Sequence, residues 1–272
     1  MIHGFLENLA VWHLGLAPVL RDEFRITTYD LRGHGRSDLT PNGYTPAGLA
    51  ADLEALMDAL NVGRATLVGR SFGADVALRF CARCPDRVAQ LVAIEPALVG
   101  GLAHRGDEAW GGWSYWGGQL ERVGVTLPPE KRTDLQFLLE QTVRTPAFDG
   151  PFGLGPRHRD QLLRLIGDTA LLTECGEVLD MTRDLVRGIR TPTLLVYGAR
   201  SPFLASFDFL RASLPRCRTL IVPDAGHLKP WERTRMLGDE IRRFLREGER
   251  ASAPAIADRS TAGAMPVELP GR

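Results

Sequence analysis

The stretch ATLVGRSFG, residues 65–73, decides how the chain is interpreted. Its first four residues are typical of a buried strand, and residues 75–84 have the apolar spacing of a helix. Gly69 and Gly73 allow a sharp turn between the two, in which Ser71 takes a strained backbone conformation and its hydroxyl is exposed at the carboxyl edge of a sheet. A chance turn with two glycines is the alternative. The flanking strand and helix favour the catalytic interpretation.

Short apolar runs alternate with longer helical patterns on both sides of this stretch. In residues 44–60, Leu49, Leu53 and Leu56 recur at helical spacing. The runs predicted as strands are 24–30, 65–68, 90–94, 193–197 and 218–222. Such an alternation predicts an α/β fold with a mostly parallel sheet and flanking crossover helices.

A second chemical signal is the segment PDAGH, residues 223–227, which directly follows the last predicted strand and precedes a predicted helix at 231–246. A lone histidine is usually structural or simply exposed. With the G-x-S-x-G turn and this histidine, however, the sequence resembles the α/β-hydrolase family along nearly its whole length. The resemblance implies that Ser71 is the nucleophile and His227 its general base, and the order of serine before histidine fits that family.

Two further segments are similar to motifs of the same family. His3-Gly4-Phe5 resembles the HG-x segment, which implies that the backbone N–H groups of Phe5 and Phe72 bind the oxyanion of the reaction. Residues 30–37, DLRGHGRS, resemble the family's D-x-R-G-x-G-x-S turn. That turn is structural in the family, so His34 is not expected to be catalytic.

The third member of the expected triad departs from the family pattern. Most relatives carry an acid in a G-x-x-D turn after the seventh strand, where this chain has GARS, residues 198–201. Glu95, directly after the strand at 90–94, is the preferred substitute, because haloalkane dehalogenases carry their acid at that strand end. Acidic residues there also occur in relatives with an ordinary triad. Asp208 lies too far into the next helix, and Asp224 is too close to the histidine in sequence.

The predicted domain organisation is a hydrolase core, an inserted lid and a tail. We assign residues 1–99 and 191–247 to the core, 100–190 to a helical lid with helices near 133–143 and 159–172, and 248–272 to a disordered tail. Aromatic residues of the lid could line an apolar substrate pocket or simply pack on the core. They are Trp110, Trp113, Tyr115 and Trp116.

The beginning of the chain also departs from the family. Relatives usually have two strands and most of a third before the HG-x segment, whereas this sequence starts at Met1. The first strands of the sheet are therefore expected to be missing. We expect the native start to lie upstream, because an opened third strand would expose a sheet edge.

Composition excludes several classes of protein. The 33 basic and 33 acidic residues balance, so the chain has no overall charge that would hold nucleic acid. No apolar stretch approaches the roughly 20 residues needed to cross a bilayer, and no membrane association is expected. The four cysteines show no disulfide framework and no leader opens the chain, which favours a cytoplasmic protein. The oligomeric state stays open.

These features predict a hydrolase that cleaves an ester or thioester of a small or medium organic substrate through an acyl-enzyme, without cofactor or metal. Serine in the turn argues against dehalogenase and epoxide-hydrolase chemistry, which form an ester on a carboxylate. Hydrolysis of carbon–carbon bonds and cofactor-free haloperoxidation on the same serine remain open. A non-catalytic member that binds a ligand under its lid is the alternative from another class.

Overall fold

The computed structural model describes residues 1–97, 111–146, 156–174, 181–227 and 233–252. Four parallel strands form one sheet in the order β1-β2-β3-β4, which confirms the predicted parallel α/β fold. The strands are β1 (Ala65–Arg70), β2 (Val88–Ile94), β3 (Thr193–Gly198) and β4 (Cys217–Val222). The helices are α1 (Ala10–His13), α2 (Leu16–Leu20), α3 (Pro46–Ala59), α4 (Phe72–Arg83), α5 (Gly111–Arg122), α6 (Leu135–Arg144), α7 (Pro156–Gly167), α8 (Leu171–Glu174), α9 (Arg183–Gly188), α10 (Leu204–Ser213) and α11 (Thr234–Ser252).

Helices cover both faces of the sheet. Leu53 of α3 lies in one buried cluster with Leu67 of β1. Trp12 of α1 and Ile241 of α11 lie in a second cluster, together with Val68 of the same strand. Successive side chains of a strand point to opposite faces, so the neighbours Leu67 and Val68 enter different clusters. The core therefore consists of two apolar layers separated by the sheet.

The prediction of a strand at residues 24–30 is wrong, because this segment forms no strand. Within this segment, Tyr29 forms an isolated bridge to Ile2, and Ile2 also bridges to Gly69 of β1. A cavity of about 510 Å³ lies between the segment and β1, lined by residues of both, Thr27 and Leu67 among them. Because Ile2 bridges both sides at a single position, no ladder of consecutive pairs forms here.

Helices α5 to α9 lie between β2 and β3, in the segment predicted as a lid. The helix predicted for 133–143 corresponds to α6, and the one predicted for 159–172 corresponds to α7 and α8. Helix α5 was missed because Gly117 and Gly118 each disfavour a helix by about 1 kcal/mol relative to alanine. Burial of Trp113 and Leu120 stabilises it instead. Residues 98–110, 147–155 and 175–180 of this segment, with Trp110, lie outside the described residues.

Helix α11 ends six residues later than the predicted position 246, at Ser252. Gly248 lies so close to Gln90 that a Cβ on the glycine would overlap the glutamine side chain. The prediction of a disordered tail is therefore wrong for residues 248–252, and residues 253–272 lie outside the described ones. None of the described helices combines the length and the apolar character that a membrane span requires.

Candidate active site

Ser71 lies in the sharp turn that joins β1 to α4. Its backbone angles are φ 50° and ψ −126°, a region that residues with a side chain rarely adopt. The two glycines of the motif make the turn possible. A Cβ on Gly69 would lie 2.5 Å from the carbonyl oxygen of Gly73, and one on Gly73 would overlap the carbonyl group of Ile2. The turn places the serine at the carboxyl edge of the sheet, as predicted, but Ser71 is buried there rather than exposed.

Ser71, His227 and Glu95 follow three different strands and meet at this edge. Nε2 of His227 lies 3.2 Å from Oγ of Ser71, and Nδ1 lies 3.2 Å from Oε2 of Glu95. One imidazole therefore faces a hydroxyl with one nitrogen and a carboxylate with the other. With its proton on Nδ1, directed at the carboxylate, the ring leaves Nε2 as an acceptor for the serine proton.

The carboxylate of Glu95 is fully buried and held from several sides. Its Oε1 accepts a hydrogen bond of 2.6 Å from the N–H of Gly198. The hydroxyl of Ser201 donates to Oε2 at 2.5 Å, which is the same oxygen that faces His227. The backbone of Glu95 has φ 54°, and the hydroxyl of Tyr197 donates to the next carbonyl, that of Pro96, at 2.5 Å. Ser201, which lies where the G-x-x-D pattern would have an acid, thus contacts the carboxylate of Glu95.

The surroundings of His227 lower its pKa below the ordinary value of 6.5. Burial is the main cause, because it disfavours the charged imidazolium, and the positive charge of Arg70 acts in the same direction. The hydrogen bond and charge of Glu95 oppose both effects. The ring is therefore neutral at pH 7, which is the form that can accept a proton.

Phe5 and Phe72 both lie beside the serine. Their rings meet edge to face with centroids 5.4 Å apart. Phe72 is the first residue of α4, so its N–H has no partner inside the helix. Gly4 brings the other segment close, since a Cβ on this glycine would lie 3.2 Å from Cβ of Ser71. The main-chain segments at Phe5 and Phe72, whose N–H groups are the predicted oxyanion donors, thus lie next to Ser71.

His3 and His34 are buried beside this site but have structural partners. Nε2 of His3 accepts the N–H of Leu31 at 2.9 Å, and its Nδ1 lies 2.8 Å from the carbonyl oxygen of Gly4. Nδ1 of His34 lies 2.9 Å from the carbonyl oxygen of Arg32. Burial lowers the pKa of His34 to about 3, so this side chain is neutral. Both histidines therefore contact the main chain at residues 31 and 32.

Aromatic rings surround the imidazole of His227. The ring centroid of Phe203 lies 4.9 Å from that of His227, and Tyr115 of α5 lies 5.6 Å from it on an edge-to-face contact. Trp116 packs against both aromatic neighbours at 6.0 and 6.5 Å, and Trp113 is buried in the core. Tyr115, one of the aromatic residues singled out in the sequence, therefore contacts the candidate base.

Sequence reasoning missed three polar residues of this region. They are Glu7, Arg70 and Ser201, and each contacts a main-chain or side-chain group of the candidate site. Arg70 is the variable residue of the G-x-S-x-G motif, so the pattern gives it no role. Glu7 has no motif of its own. In the part of the chain that the structure describes, no cluster of histidine, cysteine and acidic residues has the arrangement of a metal site.

Comparison with known proteins gives concordant matches. A family model for the alpha/beta hydrolase fold matches residues 1–234. Esterase YbfF of Escherichia coli (strain K12) is 28% identical over 259 residues, which cover 91% of this chain and 92% of that protein. The pimeloyl-(acyl-carrier protein) methyl ester esterase of Nitrosomonas europaea is 28% identical over 238 residues, covering 84% and 87%.

Solved structures agree at the level of the fold. The meta-cleavage product hydrolase CumD of Pseudomonas fluorescens IP01 superposes with a TM-score of 0.65 and 20% sequence identity. The superposition covers 90% of this chain and 89% of that one. At this level of identity the likeness describes the architecture alone.

Proposed function

Because the chain belongs to the α/β-hydrolase family, we propose that it hydrolyses an ester or thioester of a small or medium organic molecule through an acyl-enzyme on Ser71. The observation that carries the proposal is the continuous path of contacts from Oγ of Ser71 through the imidazole of His227 to the carboxylate of Glu95. The esterase names of the two relatives support the same class of reaction. In this proposal Glu95 is the triad acid.

The first half of the proposed reaction forms the acyl-enzyme. Oγ of Ser71 attacks the carbonyl carbon while its proton passes to Nε2 of His227. The carbonyl oxygen becomes negatively charged and accepts hydrogen bonds from the N–H groups of Phe5 and Phe72. When the tetrahedral intermediate collapses, the bond to the alcohol or thiol breaks, and the imidazolium gives its proton to that leaving group.

The second half returns the enzyme to its resting state. A water molecule attacks the acyl carbonyl carbon as Nε2 of His227 takes one of its protons, and the same two N–H groups bind the oxyanion. Collapse releases the carboxylic acid as the proton returns to Oγ of Ser71. Throughout, Glu95 holds the imidazole in the productive tautomer and stabilises its charged form. No step requires a metal or cofactor.

Helix α5 and Phe203 suggest where substrate selectivity resides. Tyr115 and Phe203 pack around His227 with their rings, so the groups next to the cleaved bond would meet an apolar, aromatic wall. Such a wall favours an uncharged acyl or alcohol group of modest size. The helices between β2 and β3 would then act as the lid that the sequence predicts.

The proposal is tested with p-nitrophenyl esters and acyl thioesters of graded chain length. We expect turnover with an optimum in chain length, and we expect Ser71→Ala and His227→Ala to lose it to a similar degree, since either change disables the same step. Circular dichroism checks that both variants fold. Absence of turnover over the whole series would favour a ligand-binding protein, and a mild effect of His227→Ala would exclude it as the base.

A further inference from the structure

A buried ion pair beside Ser71 is not used by the reaction proposed above. Nη1 of Arg70 donates to Oε1 of Glu7, and the two side chains are 5% and 15% exposed. Arg70 directly precedes Ser71, at the end of β1, and Glu7 lies two residues after Phe5. The pair therefore joins the nucleophile turn to the segment that carries the other candidate oxyanion donor.

The second carboxylate oxygen of Glu7 strengthens this connection. Oε2 accepts a hydrogen bond of 2.8 Å from the N–H of Gly4, and the N–H of Glu7 donates to the carbonyl oxygen of Gly4 at 3.3 Å. A Cβ on Gly4 would lie 2.8 Å from Oε2 of Glu7 and 3.0 Å from Nη1 of Arg70. The ion pair is thus in direct contact with the backbone immediately before Phe5, and a side chain at position 4 would have to displace the ends of both charged groups.

A purely structural ion pair is a poor explanation for this arrangement. Burying two charges costs hydration free energy, and apolar side chains of similar size usually serve stability as well. Among the described residues, the charged groups that act on His227 are Arg70, Glu95 and Glu7, and the titratable ring packed on it is that of Tyr115. Two of these three charges belong to the ion pair.

We infer that Glu7 and Arg70 form a positioning pair, which holds the Gly4–Phe5 segment against the nucleophile turn and balances the charge next to Ser71 and His227. The inference rests on the proposed function for its effect on turnover. Glu7 is ionised in this setting: burial alone would raise its pKa, but the charge of Arg70 and the N–H of Gly4 outweigh that effect and lower it. Each partner thus compensates the charge of the other.

The inference predicts opposite effects for the two halves of the pair. Glu7→Gln removes a negative charge that favours the imidazolium, so the pKa of His227 falls. Arg70→Met removes that charge, so the pKa of His227 rises. Each shift should be at least ~0.3 pH unit, the size expected for a unit charge roughly 10 Å away even at the dielectric constant of water.

The test is an NMR titration of the His227 imidazole in the wild type, Glu7→Gln, Arg70→Met and the double variant, with kcat and KM measured in parallel. Glu54→Gln and Arg83→Met are the matched controls, because Glu54 and Arg83 form an ion pair that is 31% and 51% exposed. We expect opposite shifts in the single variants, a midpoint near wild type in the double variant and no shift in the controls. We also expect kcat to fall by up to about 10²-fold with little change in KM, the scale of a misplacement of about 1 Å.

Equal midpoints in all four proteins, or single-variant shifts of the same sign, would overturn the inference. If Arg70→Met fails to fold, Glu7→Gln and the double variant still give the comparison. The titration needs no substrate. Opposite shifts in a protein that cleaves no ester would therefore reject the proposed function and keep the positioning pair.

Discussion

Replacing Glu95 with glutamine tests whether its buried carboxylate supports the contact between His227 and Ser71. In the wild type, Oε1 accepts the N–H of Gly198, while Oε2 faces both the hydroxyl of Ser201 and Nδ1 of His227. A glutamine oxygen can replace Oε1 at Gly198. Its NH₂ group then takes the position of Oε2, where it can donate but not accept.

This exchange reverses the hydrogen bonding of the imidazole. Nδ1 of His227 must become an acceptor, so the ring proton moves to Nε2 and points at Oγ of Ser71. The base then cannot take the serine proton. We expect kcat to fall by about 10⁴, as when the triad acid of a serine protease is neutralised, which corresponds to about 5.4 kcal/mol in activation free energy. KM should change little, because Glu95 does not reach the substrate.

The assay is steady-state hydrolysis of the best p-nitrophenyl ester, with kcat and KM determined from pH 4 to 9. Glu95 raises the pKa of His227 in the wild type, so this pKa should be lower in Glu95→Gln. The residual activity of the variant should therefore persist to a lower pH before it falls. Glu54→Gln, a change of the same type in a surface ion pair, should behave as wild type. Near-normal turnover of a folded Glu95→Gln enzyme would refute the assignment of the acid.

Three further changes probe the same account. Ser201→Ala removes a donor to Oε2 of Glu95, and we expect kcat to fall by about tenfold or more, the value of one hydrogen bond to a charged group, whereas Ser201→Thr should keep most activity. Ser201→Asp should restore turnover in the Glu95→Gln background and fail to do so if position 201 cannot reach the imidazole. His34→Asn should make the free energy of unfolding less dependent on pH between 7 and 5. The pKa of His34 is lowered to about 3 in the folded chain, so as the pH falls below 6.5 protons bind the unfolded chain first. The free energy of unfolding therefore decreases by about 2 kcal/mol by pH 5. Denaturant titrations at pH 7 and pH 5 measure the free energy of unfolding, with the exposed His13→Asn as the control. An unchanged pH dependence in His34→Asn would contradict the lowered pKa of His34.

The sequence was most informative where local patterns and fold requirements coincide. Residues 65–73 predicted a strand, a turn and a helix, and the structure has β1, the strained Ser71 and α4 there. The segment ending at His227 was placed correctly after β4 for the same reason, because its apolar run and its Gly-containing turn are local signals. Both predictions needed no knowledge of distant contacts.

Predictions failed where tertiary packing decides the outcome. The segment 24–30 has the β-rich composition of a strand, but Ile2 is the residue that bridges it to the sheet. Helix α5 forms in spite of two adjacent glycines because its apolar side chains are buried. The contact between Ser201 and Glu95 joins residues 106 positions apart, and no spacing rule reports it. This pair belongs to none of the motifs that the family resemblance rests on, so only the structure supplies it.

The central claim is that Ser71 is the nucleophile, and covalent labelling tests it most directly. The protein is treated with a fluorophosphonate, its intact mass is measured, and the modified peptide is sequenced by mass spectrometry. We expect one adduct, located on Ser71, that forms faster at pH 8 than at pH 5 because the imidazole of His227 must be neutral. Ser71→Ala should take no label. An adduct on another residue, or none on the folded wild type, would contradict the claim.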